Sequence, residues 1–529
     1  MNTGLYLGTC VSVVLAGMAG AAYAQVRSGA AGSLTPTNMV RISTVDERYQ
    51  SFNIEMVEVT GGRFWRPYGK ELDEFLKAQP SANPADRDGA LYRQRAPIDL
   101  TNPRLGKLAA ALGPAYLRVS GTWANTTYFQ NSENAAGNPP AGFNGVLTRR
   151  QWKGVVDFAR AVDARIVTSF ATGAGTRDAA GVWTPTQANQ FVAYTKSIGG
   201  NIAAAEFMNE PNIAEMGGAP KGYDAAAYAR DLAAFGAFAR QAAPSTAILG
   251  PGSVGEGIQL MPAGAVKDPL KTEDLLKAAG PAFDAFSYHF YGAVSKRCAG
   301  MAPEAGTAPE DALSEQWLAR TSSVEAFYAG LRDRYAPGKS LWVTETADAA
   351  CGGNPWGSTF LDSFRYLDQL GRLARSGVQV VAHNTLAASD YGLLDENTFA
   401  PRPNYWSAVL WRRLMDRTVL DPGASPSPAL HLYAHCLRGY PGGVAVLAIN
   451  TGQKPAQSVQ IPTDSERYTL TARSLEDTRV ELNGKELKLS ATDELPALIG
   501  THLKPGAVTL APLSITFLAI PNANNASCQ

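Results

Sequence analysis

Cysteine, histidine and net charge are all scarce in this chain, and each scarcity removes a class of function. Five cysteines and five histidines are spread over 529 residues. No Cys-x-x-Cys pair occurs, and His289, His383, His431, His435 and His502 are scattered, so there is no spaced set of zinc ligands. The 47 basic residues balance 47 acidic ones, which argues against a nucleic-acid partner and against a large basic cleft for a highly sulfated polymer. Past the first 24 residues, no apolar run is long enough to span a bilayer. Internal repeats are lacking, and low complexity is confined to Pro/Ala/Gly-rich patches at 134–143 and 302–309. What is present is 45% apolar residues against 18% charged ones, over a length exceeding one ordinary domain. That describes a well-buried globular protein.

Residues 5–22 are apolar and rich in small side chains, and Ala22-Tyr23-Ala24 before Gln25 fits a signal-peptidase site. Residues 1–24 therefore read as a signal peptide, and the mature protein as exported, periplasmic or secreted. Positions 1–6 hold no Lys or Arg, which keeps an uncleaved anchor open as the competing reading, and Cys10 lies too early for a lipoprotein site. Four cysteines follow the signal: Cys298, Cys351, Cys436 and Cys528. An even number in an exported protein points to two disulfides, with three pairings open.

Between 51 and 416, short β-prone runs alternate with segments of helical period. The strands are predicted at 51–57, 115–121, 165–171, 203–209, 247–253, 285–291, 340–344 and 378–385. Helices are predicted at 104–112, 150–163, 186–198, 224–242, 271–278, 312–335, 359–375 and 404–416. Eight strand–helix units in series predict an α/β fold of the (β/α)8 TIM-barrel kind, whose active site lies at the carboxyl ends of the strands. After about 417 helical periodicity disappears. Short strands at 430–438, 443–450, 458–462, 467–473, 486–489 and 515–520, with turn signals at Tyr440-Pro441-Gly442-Gly443 and Asn483-Gly484, predict a C-terminal antiparallel β-sandwich. The strand-like stretch 38–43 precedes the barrel and is expected to join that sandwich. The expected division is thus 1–24 signal, 25–45 N-terminal strand segment, 46–416 barrel and 417–529 sandwich.

Two stretches carry chemistry. The run 203–209 leads into Asn209-Glu210-Pro211, and the proline disfavours the α conformation at Glu210, so the carboxylate is expected where strand four opens into a loop. The run 340–346 delivers Glu345 at the expected end of strand seven. A lone Asn-Glu-Pro reads equally well as a loop glutamate, and the second carboxylate is what shifts the balance. One acid with a raised pKa and one ionised carboxylate are what glycoside hydrolysis needs, and their separation decides between retention and inversion.

Five ordered stretches then resemble family 79 glycoside hydrolases, the heparanase and β-glucuronidase family: 112–122, 206–212, 288–291, 342–353, and 391–397 followed by Tyr405-Trp406. The resemblance implies Glu210 as acid/base and Glu345 as the nucleophile of a retaining mechanism. It also implies Asn209 on the sugar 2-hydroxyl and Tyr291 on the nucleophile. The amides of Gly352 and Gly353, with the hydroxyl of Tyr391, would hold a glucuronate carboxylate, although 349–351 depart from the family pattern. Glu55 and Thr122 would line the subsite of the cleaved sugar, and His289 reads equally as structural. A Cys436–Cys528 disulfide is implied, which would leave Cys298 and Cys351 for each other.

The expected activity is a retaining β-glucuronidase releasing terminal glucuronic acid from a glucuronic-acid-containing glycan, with no metal or cofactor. The segment 62–100, with Trp65, Tyr68 and Tyr92, is expected to wall one end of the cleft and favour exo-cleavage. A heparanase-like endo-β-glucuronidase is the alternative, and needs Arg63, Arg66, Arg93 and Arg95 to converge on an open cleft. A non-catalytic carbohydrate-binding protein is the third reading.

Overall fold

The computed structural model describes residues 32–79, 89–135, 137–258, 269–300 and 303–529, with Met1, Asp86 and Leu260. Apart from Met1, the segment read as a signal lies outside the described residues. Eight parallel strands close into a barrel in chain order: β1 (Gln50–Glu55), β2 (Ala115–Ser120), β3 (Ala164–Ser169), β4 (Ile202–Glu206), β5 (Ala247–Ser253), β6 (Ala285–Val294), β7 (Leu341–Ala350) and β8 (Val380–His383), which pairs back onto β1. The crossover helices begin where local chemistry satisfies their free N–H groups. Asn102 accepts from Arg104 and Leu105 ahead of Pro103–Ala110, Thr148 forms a capping box with Gln151, and Asp224 accepts from Ala227 ahead of Ala225–Ala242. The predicted helix 312–335 is instead two, Glu315–Leu318 and Arg320–Tyr335.

The barrel interior is layered because side chains alternate along each strand. Tyr116, Val167, Ala204, Leu249, Trp342 and Val380 form an apolar plug. Two residues further along their strands, Arg118, Glu206, Ser287 and Thr344 are buried together and hydrogen-bonded through the Glu206 carboxylate. β7 shifts register against both neighbours, between Tyr288 and His289 of β6 and again between Val343 and Thr346. That irregularity lets consecutive residues, Thr344 and Glu345, both reach the interior.

Four strand ends around the site differ from those expected. β4 stops at Glu206, so Glu210 lies in the following loop. β6 and β7 continue past the barrel by pairing with each other, Tyr291 with Ala347 and Val294 with Ala350, so Tyr291 and Glu345 sit inside strands. β2 ends at Ser120, and Thr122 begins a 3-10 turn.

The C-terminal region is a nine-stranded antiparallel sheet facing a three-stranded one. Arg41–Thr44 pairs with Met415–Leu420 at one edge of the larger sheet, and Gly32–Ser33 joins the smaller beside Gln457–Ile461. Along Leu430–Leu437, residues Leu430, Leu432 and Ala434 point into the core shared with Val459, Ile461 and Val508. The alternate face meets the barrel helix Phe360–Arg375, where His431 Nδ1 and the Tyr433 hydroxyl both contact Asp368. Of the run 486–489 only Glu486 is in a strand; Glu481–Leu482 and Lys485–Glu486 form a small hairpin around Asn483-Gly484. The tail of the predicted helix 404–416 becomes the strand Met415–Leu420, since the helix ends at Leu414. Disulfides join Cys298 to Cys351 and Cys436 to Cys528. Among the described residues, no helix is long and apolar enough to cross a membrane.

Candidate active site

Arg118 is the hub of the barrel mouth. Its side chain is fully buried, which is tolerable because each of its three guanidinium nitrogens finds an acceptor. Nε and Nη2 donate to Glu206 Oε2 at 3.0 and 2.8 Å, Nη1 donates to Glu345 Oε2 at 2.7 Å, and Nη2 donates to Asn209 Oδ1 at 2.8 Å. Nη2 also lies 3.1 Å from His289 Nε2. A guanidinium has no acceptor, so Nε2 accepts and the imidazole proton sits on Nδ1. Nδ1 then donates to Glu210 Oε1 at 3.0 Å.

Glu210 and Glu345 approach to within 4.8 Å of one another, measured between carboxylate oxygens. Their surroundings differ. Glu210 sits in a left-handed conformation, φ 51° and ψ 63°, where the proline behind it excludes the right-handed helical region. Burial pushes its carboxyl up, the hydrogen bond from His289 pulls it back, and the negative charge of Glu345 pushes it up again; the net shift is upward. Burial also acts on Glu345, but His289, Arg118 and hydrogen bonds from Tyr291 and Arg118 outweigh it, so this carboxyl is held below its ordinary range. Tyr291 donates to Glu345 Oε1 at 2.6 Å, and burial keeps its own hydroxyl protonated. Glu345 thus has a strong donor on each oxygen, while Glu210 has the imidazole Nδ1–H on one.

The opposite wall is built from β1, β7 and β8. Asn384 Nδ2 lies 3.0 Å from Glu55 Oε1, 3.1 Å from the Tyr291 hydroxyl and 3.2 Å from the Tyr391 hydroxyl. Burial, reinforced by Glu345, raises the Glu55 carboxyl well above its usual range. Gly352 and Gly353 both adopt positive φ, 84° and 85°, and a Cβ on Gly352 would meet Ser389 Oγ at 2.6 Å. Their carbonyls are occupied: Gly352 O accepts from Ser389 Oγ at 2.8 Å, and Gly353 O from Arg297 Nη1 at 3.0 Å. Their amide N–H groups have no acceptor among the described residues. Arg297 is itself buried, stacked 4.0 Å over the Tyr68 ring, and ion-paired with Asp390.

Glu55, Thr122, Glu210, Tyr291, Glu345 and Tyr391 therefore line one cavity. Asn209 is not among the residues lining it; its side chain is bound by Arg118, and its backbone is held at both N–H and carbonyl by Asn125. Gly352 and Gly353 lie at the cavity's edge, against Trp65 and Tyr391 respectively. Cys351 borders the cavity through its disulfide with Cys298, whereas Cys436–Cys528 is remote in the sandwich. Sequence reasoning assigned no role to Arg118, Glu206, Asn384 or Arg297. Arg118 had one signal: a cation inside an apolar run of a parallel strand, whose two faces are both buried. Glu210, His289 and Glu345 also bring ligand-type atoms together. A metal ion does not suit them, because the Arg118 guanidinium already holds Glu345 Oε2 and faces His289 Nε2.

Residues 95–371 match glycosyl hydrolase family 79, N-terminal domain, over more than half of the chain. "Heparanase-like protein 1" of Arabidopsis thaliana is 26% identical over 487 residues, 82% of this chain and 86% of that protein. "Hyaluronoglucuronidase" of Hirudo nipponia is 27% identical over 484 residues, 82% of this chain and 92% of that one. The crystal structure of a family 51 arabinofuranosidase from Xanthomonas axonopodis pv. citri superposes with a TM-score of 0.59 at 16% identity, covering 91% of this chain and 97% of that one. That likeness is one of fold: a barrel with an appended β-domain. Two buried carboxylates with oppositely shifted protons at the mouth of such a barrel, and a family match spanning β2 to β7, lead to one conclusion: the chain belongs to glycosyl hydrolase family 79 and is a glycoside hydrolase.

Proposed function

We propose that the protein is a retaining exo-β-glucuronidase that removes terminal β-linked glucuronic acid from polysaccharides or glycoconjugates. The observation that carries the mechanism is the carboxylate pair, whose oxygens approach within 4.8 Å. So close an approach fits the roughly 5 to 5.5 Å carboxyl separation of retaining enzymes better than the roughly 6.5 to 9.5 Å of inverting ones. Glu345, kept ionised by Arg118 and Tyr291, attacks the anomeric carbon while Glu210 transfers its proton to the leaving oxygen. The glycosyl–enzyme ester is then opened by water, whose proton returns to Glu210. His289 orients Glu210 by binding Oε1, so Oε2 carries the proton. Asn209 Nδ2 is buried without a partner and suits the sugar 2-hydroxyl.

The preference for glucuronate is supported by the free amides of Gly352 and Gly353 and by Tyr391. Its hydroxyl accepts from Asn384 and keeps its own proton to donate. Neutral donors of this kind hold an anion without a basic patch. Exo-cleavage is supported by the hairpin Gly62–Trp65 with Tyr92–Arg95: Trp65 stacks on Tyr92 at 4.5 Å and abuts Gly352, which closes that end of the cavity. The arginines an open basic cleft would need are already engaged. Arg66 pairs with Glu71, Arg93 with Glu396, Arg95 lies near Glu58 and Glu396, and Arg63 donates to the Gly89 carbonyl. Export to the periplasm or exterior is supported by the two disulfides.

The test is hydrolysis of an aryl β-glucuronide, the matching β-glucoside and a defined heparan-type oligosaccharide. The proposal expects turnover of the glucuronide over the glucoside, and free glucuronic acid from the oligosaccharide's end if that chain is accepted. Shortened oligosaccharides without free glucuronic acid would make the enzyme endo-acting, and a preference for the glucoside would overturn the uronate assignment.

A further inference from the structure

The leaving oxygen must meet the proton on Glu210, so the first atoms of the leaving group lie against the residues that follow Glu210 in the chain. Those residues are apolar. Glu210 opens the 3-10 turn Pro211–Ile213, closed by the Ile213 N–H donating to the Glu210 carbonyl at 3.0 Å, and both Ile213 and Met216 line the cavity beside the acid. Asn212 fastens this segment to the loop after β5. Its Nδ2 donates to the Val254 carbonyl at 2.7 Å, and its Oδ1 accepts from the Val254 N–H at 3.1 Å. Val254 is thereby set into the same wall, and Val294 at the end of β6 continues it. Ile213, Val254 and Val294 are buried in one apolar cluster, against which Met216 packs.

None of these four side chains donates a hydrogen bond, and only the methionine sulfur is a weak acceptor. No Lys or Arg lines the cavity among the described residues. A sugar packed against these four side chains would give up water from the hydroxyls that face them and find no partner on them, at about tenfold or more in affinity for each hydroxyl stranded. A sulfated sugar would also meet no cation among the described lining residues. An apolar ring system instead gains by removing its own surface and that of the wall from water. The sulfur of Met216, on a flexible stem, adapts to such rings.

Resting on the glucuronidase reading above, we infer that the leaving-group side of the cavity is built for an apolar aglycone, an aromatic or alicyclic ring system, rather than for a second sugar. The natural substrate class is then the glucuronide of a hydrophobic small molecule.

Aryl leaving groups depart easily for electronic reasons, so the test uses a series of simple alcohol aglycones. We would measure kcat/KM of the full-length enzyme for methyl, butyl and cyclohexylmethyl β-glucuronides and for a disaccharide with terminal β-linked glucuronic acid. The inference expects a rise of roughly tenfold from methyl to cyclohexylmethyl, carried mostly by KM, with the disaccharide no better than methyl. Ile213→Ser and Val254→Ser should flatten the rise, and Ile213→Val should keep it. Turnover of methyl glucuronide with a flat series, or a disaccharide that outperforms cyclohexylmethyl, overturns the inference and leaves the glucuronidase reading standing. Failure to cleave any glucuronide in the series, or an activated aryl glucuronide, overturns both. The wild-type series alone decides the matter if a serine variant does not fold.

Discussion

The barrel mouth has two acidic sides, and the reach of Arg118 runs to only one of them. Glu206 and Glu345 lie within its fork and are held below the ordinary carboxylate range despite complete burial. Glu210, Glu55 and Glu58 have no guanidinium in hydrogen-bonding contact and are all pushed up. The same side chain in the same dry environment is therefore pulled down or pushed up partly according to where one cation points. In a retaining glycosidase that is the difference between an acid and a nucleophile.

The comparison breaks most severely if the ionised member is removed. Glu345→Gln should lower kcat/KM on an aryl β-glucuronide by roughly 10^4- to 10^6-fold, because no other group is placed to attack; steady-state rates check it. Glu210→Gln should cost about 10^2- to 10^4-fold on poor leaving groups and much less on a dinitrophenyl glucuronide, which needs no proton. A loss equal across leaving groups would show that Glu210 is not the acid.

Arg118→Lys sharpens the comparison further. A single ammonium cannot serve Glu206 and Glu345 with the geometry of the fork, so activity should fall roughly 10^2-fold. The acid limb of kcat/KM reports ionisation of the nucleophile in the free enzyme. Glu345 is held low by Arg118 among others, so weakening that contact raises its pKa and moves the acid limb to higher pH. The basic limb, set by loss of the Glu210 proton, should move less; equal movement of both limbs would contradict the division described above.

The smallest effect concerns stability. Burial, only partly offset by Arg95, raises the Glu58 carboxyl to about 7 from an ordinary value of 4.5. The folded state holds this proton where the unfolded state has lost it, so the group costs stability increasingly as pH rises from about 4.5 to 7. Glu58→Gln removes that cost. Denaturant unfolding should show the variant more stable by about 1–3 kcal/mol at pH 8 and unchanged at pH 4.

Much of this arrangement was legible before the fold was seen. The eight strands could be read because each is a short β-prone run between helical periods, and Glu210 and Glu345 because each closes such a run. The strand ends were less readable. Gly292 and Asp348 look like chain breakers, yet β6 and β7 pass through them by pairing with each other above the barrel. Arg118 gained no role from sequence because its partners come from β4, the loop after it, β6 and β7, and only closure of the barrel brings them together. The short strands of the sandwich fared worst. Thr501–Leu503 and Gly506–Leu510 went unread, and Met415–Leu420 follows a helix without any intervening turn residue.

The most direct test of the division between the two carboxylates is to trap the covalent intermediate. Incubation with an activated 2-deoxy-2-fluoro-β-glucuronide slows opening of the ester, and peptide mass spectrometry then locates the sugar. One label per chain on the peptide containing Glu345, with the acid-side Glu210 unmodified, is the result expected. A label on Glu210, or release of the inverted anomer with no label at all, would contradict the account.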